Sequence, residues 1–195
     1  MIIKAGIKRD HELLTRWRRD FHAHPELAFE EERTAALVTE RLEGFGIEVD
    51  RGLAKTGVVG TLKVGTGTRA IALRADMDAL PMRERNDFAH ASKIPGKMHG
   101  CGHDGHTTML LGAAKYLAET RNFDGTVYFI FQPAEEGQGG AEVMVQEGLF
   151  EKFPAESVFG MHNWPGMAVG EFAVSPGPMM ASFDVFDLLI RGQGG

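Results

Sequence analysis

Apolar residues recur along the chain with two different periods, one typical of helices and one typical of strands. Residues 107–117 give the clearest helical pattern, with apolar or small side chains on one face at every third or fourth position. The same reasoning predicts further helices over 8–21, 30–43 and 141–147. Strands are predicted over 47–50, 57–64, 69–75, 127–131, 157–161, 168–174 and 183–190.

One of these strands, residues 127–131, is a continuous apolar run from Val127 to Phe131. Such a run is typical of a central strand that is buried on both faces. Because strands and helices alternate along the chain, the pattern predicts an α/β domain with a mixed or mostly parallel sheet flanked by helices.

Polar side chains gather just after the ends of three predicted strands. Asp76 and Asp78 follow the strand over 69–75, Glu135 and Glu136 follow the apolar run, and His162 ends the stretch that begins near residue 157. In open α/β sheets, ligands bind beyond the carboxyl ends of the strands. We therefore expect these carboxylates and this imidazole to lie at one edge of the sheet.

A glycine-rich segment, residues 98–106, leads into the clearest helix and contains both a thiol and imidazoles. Cys101 and His103 are separated by Gly102 alone, so both side chains can turn toward one point. A thiolate, imidazoles and carboxylates together suit zinc, manganese, cobalt or nickel, whereas magnesium and calcium prefer oxygen ligands alone. The alternatives are solvated histidines in a flexible loop and a glutamate pair that serves solubility.

Composition narrows the possible partners. The net charge of −6 argues against nucleic acid, which needs a basic face. No stretch approaches the roughly 20 apolar residues of a membrane span, and residues 1–10 lack a signal-peptide core. Cys101 is the single cysteine, so no intrachain disulfide forms and a reducing cytoplasm is the expected location.

Five motifs in order resemble one family, the two-metal amidohydrolases that include hippurate hydrolase, N-acyl-L-amino acid amidohydrolases and plant indole-acetyl-amino-acid hydrolases. The motifs occupy residues 19–26, 73–81, 99–106, 131–137 and 160–162. The resemblance implies a three-layer catalytic domain of the zinc-peptidase and phosphorylase-like type, two divalent metal ions per site and a small N-acyl amino acid as substrate.

By this resemblance, four residues match metal-ligand positions: Cys101, His103, Glu136 and His162. Glu135 matches the general base. Adjacent glutamates on an irregular loop diverge, which agrees with different roles for the pair.

Three aspartates, Asp76, Asp78 and Asp104, are candidates for positions around the ligands rather than on the metal. Asp78 matches an aspartate near the metals in the wider superfamily. Asp76 occupies the position of a ligand histidine there, which the acyl-amino-acid branch replaces with the cysteine.

The other motif histidines, which are His22, His24, His99 and His106, favour structural or surface roles. His106 is also placed to cap the helix or to approach the site.

The family's members are about twice this length and carry a second, lid domain. We expect residues 1–182 to form the metal-binding catalytic domain and residues 183–195 to form the lid's first strand. In the family, a fifth ligand histidine comes from near the far C-terminus. Because an unpaired apolar strand exposes its backbone, residues 183–195 are predicted to pair two chains into a homodimer. The alternatives are that the segment pairs with the main sheet or is disordered and prone to association.

The expected activity is hydrolysis of the amide bond of an N-acyl amino acid by a metal-activated water. One alternative is a related two-metal peptidase or deacylase that acts on another acyl group. A second is a Cys101 nucleophile activated by His103. A third, for this chain by itself, is a folded metal-binding fragment without activity.

Overall fold

The computed structural model describes residues 3–182 and 184–193, in which helices and strands alternate. The helices are α1 (Ala5–Arg9), α2 (His11–Ala23), α3 (Glu32–Gly44), α4 (His103–Thr120), α5 (Gly140–Gln146) and α6 (Leu149–Lys152). The strands are β1 (Glu48–Leu53), β2 (Gly57–Val64), β3 (Ala70–Asp76), β4 (Gly125–Gln132) and β5 (Val158–Gly160).

The strands form one sheet in the order β1-β2-β4-β3-β5. The β1–β2 and β2–β4 pairs are antiparallel, whereas β3 pairs in parallel with both β4 and β5. The predicted mixed sheet is therefore confirmed. Because β3, β4 and β5 run in the same direction, their carboxyl ends lie at the same edge of the sheet.

Strand β4 is central, as the apolar run predicts. Phe129 and Phe131 pack into a core with residues of α2, α3 and α4, whereas Ile130 packs on the opposite face with Met144 of α5 and with Phe153. Neighbouring residues of a strand point to opposite faces, so one strand serves both cores. Helices thus cover both faces of the sheet, and each large side chain buried there contributes about 1.5–3 kcal/mol.

Two predicted helices have different bounds in the structure. The helix predicted over 8–21 is two helices, α1 and α2, because Asp10 between them adopts φ −87° and ψ 4°. The Asp10 carboxylate accepts a hydrogen bond of 2.6 Å from Lys115 of α4. This bond stabilises the break between α1 and α2 relative to one continuous helix. Helix α4 begins at His103, four residues earlier than the apolar pattern indicates.

The chain divides into two compact units, one ending at Asn163 and the other beginning at Trp164. The described residues of the second unit contain turns but neither helix nor strand. The strand predicted over 168–174 is therefore wrong. Val169 and Val174 are exposed, and an extended segment without a neighbouring strand leaves its backbone groups unpaired. A turn between Ala168 and Glu171 takes its place.

The strand predicted over 183–190 begins at Phe183, which lies outside the described residues, as do Gly194 and Gly195. Residues 184–190 form no strand, and their apolar side chains are exposed. The assignment of 183–195 to a second domain and the pairing of two chains through this segment stay predictions.

Within the described residues, none of the helices combines the length and apolar character that a bilayer span requires.

Candidate metal centre

The carboxyl edge of the parallel strands carries the polar residues that the sequence singled out. Asp76 ends β3, and Asp78 follows it two residues later. Glu135 and Glu136 follow the end of β4, and His162 follows the end of β5. Three strand ends therefore deliver carboxylates and an imidazole to one edge, as expected.

The glycine-rich segment reaches the same edge because it ends in a tight turn at Gly102. This residue has φ 91°, a left-handed conformation that favours glycine. A β-carbon there would lie 2.1 Å from Oδ1 of Asn163, so there is also no room for a side chain. The turn leaves Cys101 before α4 and places His103 and His106 on the first turn of the helix.

The four residues predicted to bind metal lie close together. The Cys101 Sγ atom is 3.3 Å from Nε2 of His162. Cys101, His103 and Glu136 each offer one ligand atom, and these three atoms lie within 4.8 Å of one another. These distances are compatible with a shared metal centre, and the binding of metal by these residues stays a prediction.

The divergence expected of the two adjacent glutamates is not seen at His103, because their carboxylates lie 3.8 Å and 3.9 Å from its Nε2 atom. Glu136 contributes an oxygen to the group with Cys101 and His103. The Glu135 Oε2 atom is 3.8 Å from Nε2 of His103, and its side chain is more exposed than that of Glu136, at 36% against 23%. Glu135 therefore lies beside the group, with more access to solvent.

Several buried polar atoms at this point lack a hydrogen-bond partner among the described residues. The unpaired atoms include Nε2 of His103 and Oε1 of Glu136. His103 Nδ1 is 2.8 Å from the carbonyl oxygen of Asp78, which fixes Nδ1 as a donor, so that the neutral ring directs its Nε2 lone pair at the group. A buried lone pair and carboxylate that face each other are costly without a cation. The residues present therefore fit a divalent metal ion with nitrogen, sulfur and oxygen ligands.

The environment of Cys101 disfavours the nucleophile alternative. Burial, together with the neighbouring carboxylate of Glu136, raises the pKa of the Cys101 thiol to about 12. The imidazole in contact with the thiol belongs to His162, whereas the alternative requires activation by His103. A thiolate at this position needs a nearby positive charge, which a bound metal ion supplies.

Asp78 holds two of the candidate ligands, which agrees with its predicted place around the metal. Its Oδ2 atom accepts a hydrogen bond of 2.9 Å from the backbone N–H of Glu136. Its Oδ1 atom is 3.3 Å from Nδ1 of His103. Burial by itself would raise the pKa of Asp78, but the nearby ring of His103 and the hydrogen bond from the Glu136 N–H outweigh it and lower that pKa.

Asp76 and His106 form a second buried contact at the edge of the sheet. Nδ1 of His106 is 2.6 Å from Oδ1 of Asp76, and Nη1 of Arg74 is 2.7 Å from Oδ2. Burial opposes ionisation of Asp76, but the hydrogen bond from His106 and nearby positive charge bring its pKa to about 2. Asp76 and His106 also fall within 4.8 Å of His103 and His162, so His106 lies at the site itself.

Sequence reasoning missed Glu31, which supports the turn before the glutamate pair. Glu31 is fully buried and accepts hydrogen bonds from Thr56 Oγ1 (2.5 Å) and from the Ala134 N–H (2.9 Å). Ala134 has φ 53°, a conformation that costs a non-glycine residue free energy. Glu31 therefore helps to hold a strained turn that presents Glu135. No local pattern marks Glu31, because its partners lie 25 and 103 residues away.

Asp104, the third predicted aspartate, makes its side-chain contacts with α2 rather than with a candidate ligand. Its Oδ2 atom contacts Nδ1 of His22 at 2.8 Å and Nε of Arg18 at 2.7 Å, and it makes no hydrogen bond to a predicted ligand. Successive helical residues point about 100° apart, so Asp104 faces α2 while His103 faces the site. His22 is buried here, which supports the structural role and excludes the surface one. His24 is half-buried beside Asp20.

Known proteins similar to this chain include hydrolases and a metal-binding peptidase. Residues 72–189 match the model of peptidase family M20/M25/M40. Hippurate hydrolase of Campylobacter jejuni is 52% identical over 178 residues, which cover 91% of this chain and 46% of that protein. N-acyl-L-amino acid amidohydrolase of Geobacillus stearothermophilus is 50% identical over 182 residues, which cover 92% and 48%.

A solved structure shows the same architecture. The crystal structure of a dinuclear metal-binding peptidase of the M20 family from Bacillus subtilis superimposes with a TM-score of 0.79 at 44% identity, covering 84% of this chain and 46% of that one. This chain therefore spans about half the length of the relatives that it matches. The family match covers more than half of this chain and every candidate ligand. The resemblance in the five motifs is thereby confirmed, and the chain belongs to peptidase family M20/M25/M40.

Proposed function

We propose that this chain is the metal-binding catalytic part of an amidohydrolase that cleaves the amide bond of N-acyl amino acids. The close approach of Cys101, His103, Glu136 and His162 to one another, with Glu135 beside them, carries the proposal. The substrate class is supported by the names of two relatives, one for hippurate and one for N-acyl-L-amino acids.

The metal is proposed to be zinc, manganese, cobalt or nickel. Cys101, His103, Glu136 and His162 would hold it, and a set of sulfur, nitrogen and oxygen donors favours these ions over magnesium or calcium. Two ions per site are supported by the description of the Bacillus subtilis relative as dinuclear. When bound, such ions polarise an amide carbonyl and lower the pKa of water.

Glu135 is proposed to move the proton. Its carboxylate lies beside the group, half-exposed, where it can accept a proton from the attacking water and deliver it to the leaving amine. Asp78 keeps the loop of the two glutamates and the ring of His103 in a fixed relation, because it contacts both. Glu135 thus differs from Glu136 in its exposure rather than in its distance from His103.

The first experiment measures metal content and turnover together. The 195-residue chain and a chain extended by its downstream coding sequence are each loaded with zinc, manganese, cobalt or nickel. Release of free amino acid from hippurate and from N-acetyl amino acids is then measured. Turnover by the extended chain alone would identify this chain as the metal-binding part. Bound metal with no release in either chain would contradict the proposal and would favour a peptidase or deacylase with another acyl group, which a wider panel of amides would reveal.

The second experiment separates the two glutamates in whichever chain is active. Glu135→Gln should keep the metal content and lower turnover by about 100-fold or more. Glu136→Gln is its matched control and should instead lower metal occupancy. Exchange of the two results would reverse the roles, and no effect from either would overturn the assignment of the site.

A further inference from the structure

His22 lies between two carboxylates that belong to different parts of the chain. Its Nδ1 atom is 2.8 Å from Oδ2 of Asp104 on α4, and its Nε2 atom is 3.0 Å from Oε1 of Glu84. All three side chains are at most 4% exposed. Glu84 belongs to residues 81–98, a connecting segment without helix or strand between β3 and α4. One imidazole therefore joins α2, the first turn of α4 and this segment.

Both carboxylates already accept hydrogen bonds from other donors. Glu84 accepts from Asn86 Nδ2 at 2.9 Å and from the Ser92 N–H at 2.5 Å, which engages both of its oxygens. The Asp104 oxygen that contacts His22 also contacts Nε of Arg18 at 2.7 Å. Ionised carboxylates only accept, so the ring of His22 must donate from both nitrogens to satisfy both partners. A neutral imidazole donates from one nitrogen only.

The charged and titratable groups around His22 come from each element packed against it. Arg18 on α2 approaches Nδ1 to 3.5 Å, Asp104 comes from α4, and Glu84 and His90 come from the connecting segment. The ring of His99 lies 6.4 Å away. The hydrogen bond to Asp104 is the main cause that raises the pKa of His22, and burial opposes it. Arg18 opposes a second positive charge, but it is itself paired with Asp104.

We propose that His22, as an imidazolium, is a positioning residue for His103: it ties the first turn of α4 to α2 and to the connecting segment at the same time. Asp104 directly follows His103 on the helix, so a fixed Asp104 side chain fixes the rotation of that turn and the direction of the His103 ring. The inference depends on the proposed function only in that His103 binds metal. Loss of the proton from His22 would remove its hydrogen bond to one of the two buried carboxylates and would weaken the link between the turn and its neighbours.

Nitrogen NMR on the 195-residue chain with labelled histidine tests the charge state, with the His22 signals assigned from their loss in His22→Gln. Both ring nitrogens should carry protons at pH 7.5, above the ordinary histidine pKa of about 6.5. Glu84→Gln keeps the shape but removes one charge, and should lower the pKa of His22. Glu30→Gln is the matched control, because Glu30 pairs with Lys97 of the same segment at an exposed site. A neutral His22 at pH 7.5 in the unaltered chain would overturn the proposal.

Zinc affinity tests the positioning role without any need for turnover. It is measured by competition with a chromophoric chelator between pH 6 and 9. At low pH the Glu84→Gln chain and the unaltered chain should bind zinc with nearly equal affinity. At high pH the affinity of Glu84→Gln should be about tenfold lower than that of the unaltered chain, a loss typical of changes to residues that support metal ligands without binding the metal. The midpoint of that fall should equal the His22 pKa measured in the same variant. A ratio of the two affinities that does not change with pH would refute positioning by the charged ring. Failure of the unaltered chain to bind zinc, manganese, cobalt or nickel would instead refute the proposed metal site.

Discussion

Gly140 opens α5 where that helix meets the turn that carries the two glutamates. A β-carbon on Gly140 would lie 1.9 Å from the carbonyl oxygen of Pro133 and 3.0 Å from the β-carbon of Ala134. Gly140→Ala must therefore separate the helix from the turn by about 1 Å. The turn resists this movement, because the Gly140 N–H donates to the Ala134 carbonyl at 3.0 Å and Ala134 is already in a left-handed conformation. Overpacking costs about 1–3 kcal/mol, and an obstacle made of backbone favours the upper end, about 3 kcal/mol.

Urea unfolding of the 195-residue chain measures this cost. With a slope of about 2 kcal/mol per molar urea, the midpoint of Gly140→Ala should fall by about 1.5 M. Zinc affinity should fall as well, because Glu136 moves with the turn. Gly44→Ala is the matched control, since Gly44 ends α3 and a β-carbon there meets nothing within 4 Å. That change should be neutral or stabilise the chain by up to about 1 kcal/mol. Equal midpoints for the two variants would refute the close packing of the turn against α5.

Four further outcomes are expected. Thermal scans with and without a chelator should show a loss of about 2.7 kcal/mol when metal at 100 times its Kd is removed; an unchanged melting temperature would count against a bound ion. Phe129→Ala, at a fully buried position, should cost about 3–5 kcal/mol in urea unfolding, whereas Phe172→Ala, 73% exposed, should change stability by less than about 0.5 kcal/mol. The hydrogen bond from Arg9 lowers the pKa of Asp10 to about 2. The stability that this pair contributes is therefore present above about pH 4 and is lost as the pH falls toward 2. In Arg9→Gln, an NMR titration should show a higher pKa for Asp10 than in the unaltered chain. Sedimentation at several concentrations should show association that disappears when residues 183–195 are deleted, and a monomer at every concentration in both chains would exclude pairing through that segment.

The sequence predicts the edge of the sheet at which the candidate ligands meet because strand ends can be located from apolar runs. Val127–Phe131 marks the central strand, and the glutamates follow it directly. Parallel neighbouring strands bring their carboxyl ends to the same edge of the sheet, so the sequence alone predicts that Asp76 and His162 lie near those glutamates. The assignment of individual metal ligands comes from the order of the five motifs, and thus from resemblance to a family and not from the periodicity that predicts the strands.

The start of α4 escapes prediction because its first turn looks polar. His103, Asp104 and His106 are typical of a loop when they are read locally, yet all three are buried in the structure. Their burial depends on partners in other elements, such as Asp76 for His106 and His22 for Asp104. These pairs are 30 and 82 residues apart, a separation at which local periodicity carries no information.

The same limit explains the wrong strand over 168–174. Apolar residues alternate there, as Phe172 and Val174 illustrate, and alternation is typical of a half-buried strand. A strand, however, is completed by a neighbour, and the described residues provide none for this stretch. Periodicity identifies what a segment favours, and the remainder of the fold decides whether that preference is satisfied.

Strand β4 lies between β2 and β3, although β2 and β3 follow one another in the chain. The β1–β2 pair can form as a local hairpin, but β3 has no partner in the sheet until residues 125–132 or 158–160 are available. During synthesis at about 5–20 residues per second, the gap between β3 and β4 leaves the sheet incomplete for on the order of 5 s. Insertion of β4 between β2 and β3 closes a long loop. This step is slow because the chain loses conformational entropy before the contacts of β4 have formed to compensate for it. The ligands of the candidate centre therefore come together late on the folding pathway, and an ion captured there would bind a sheet that is already complete.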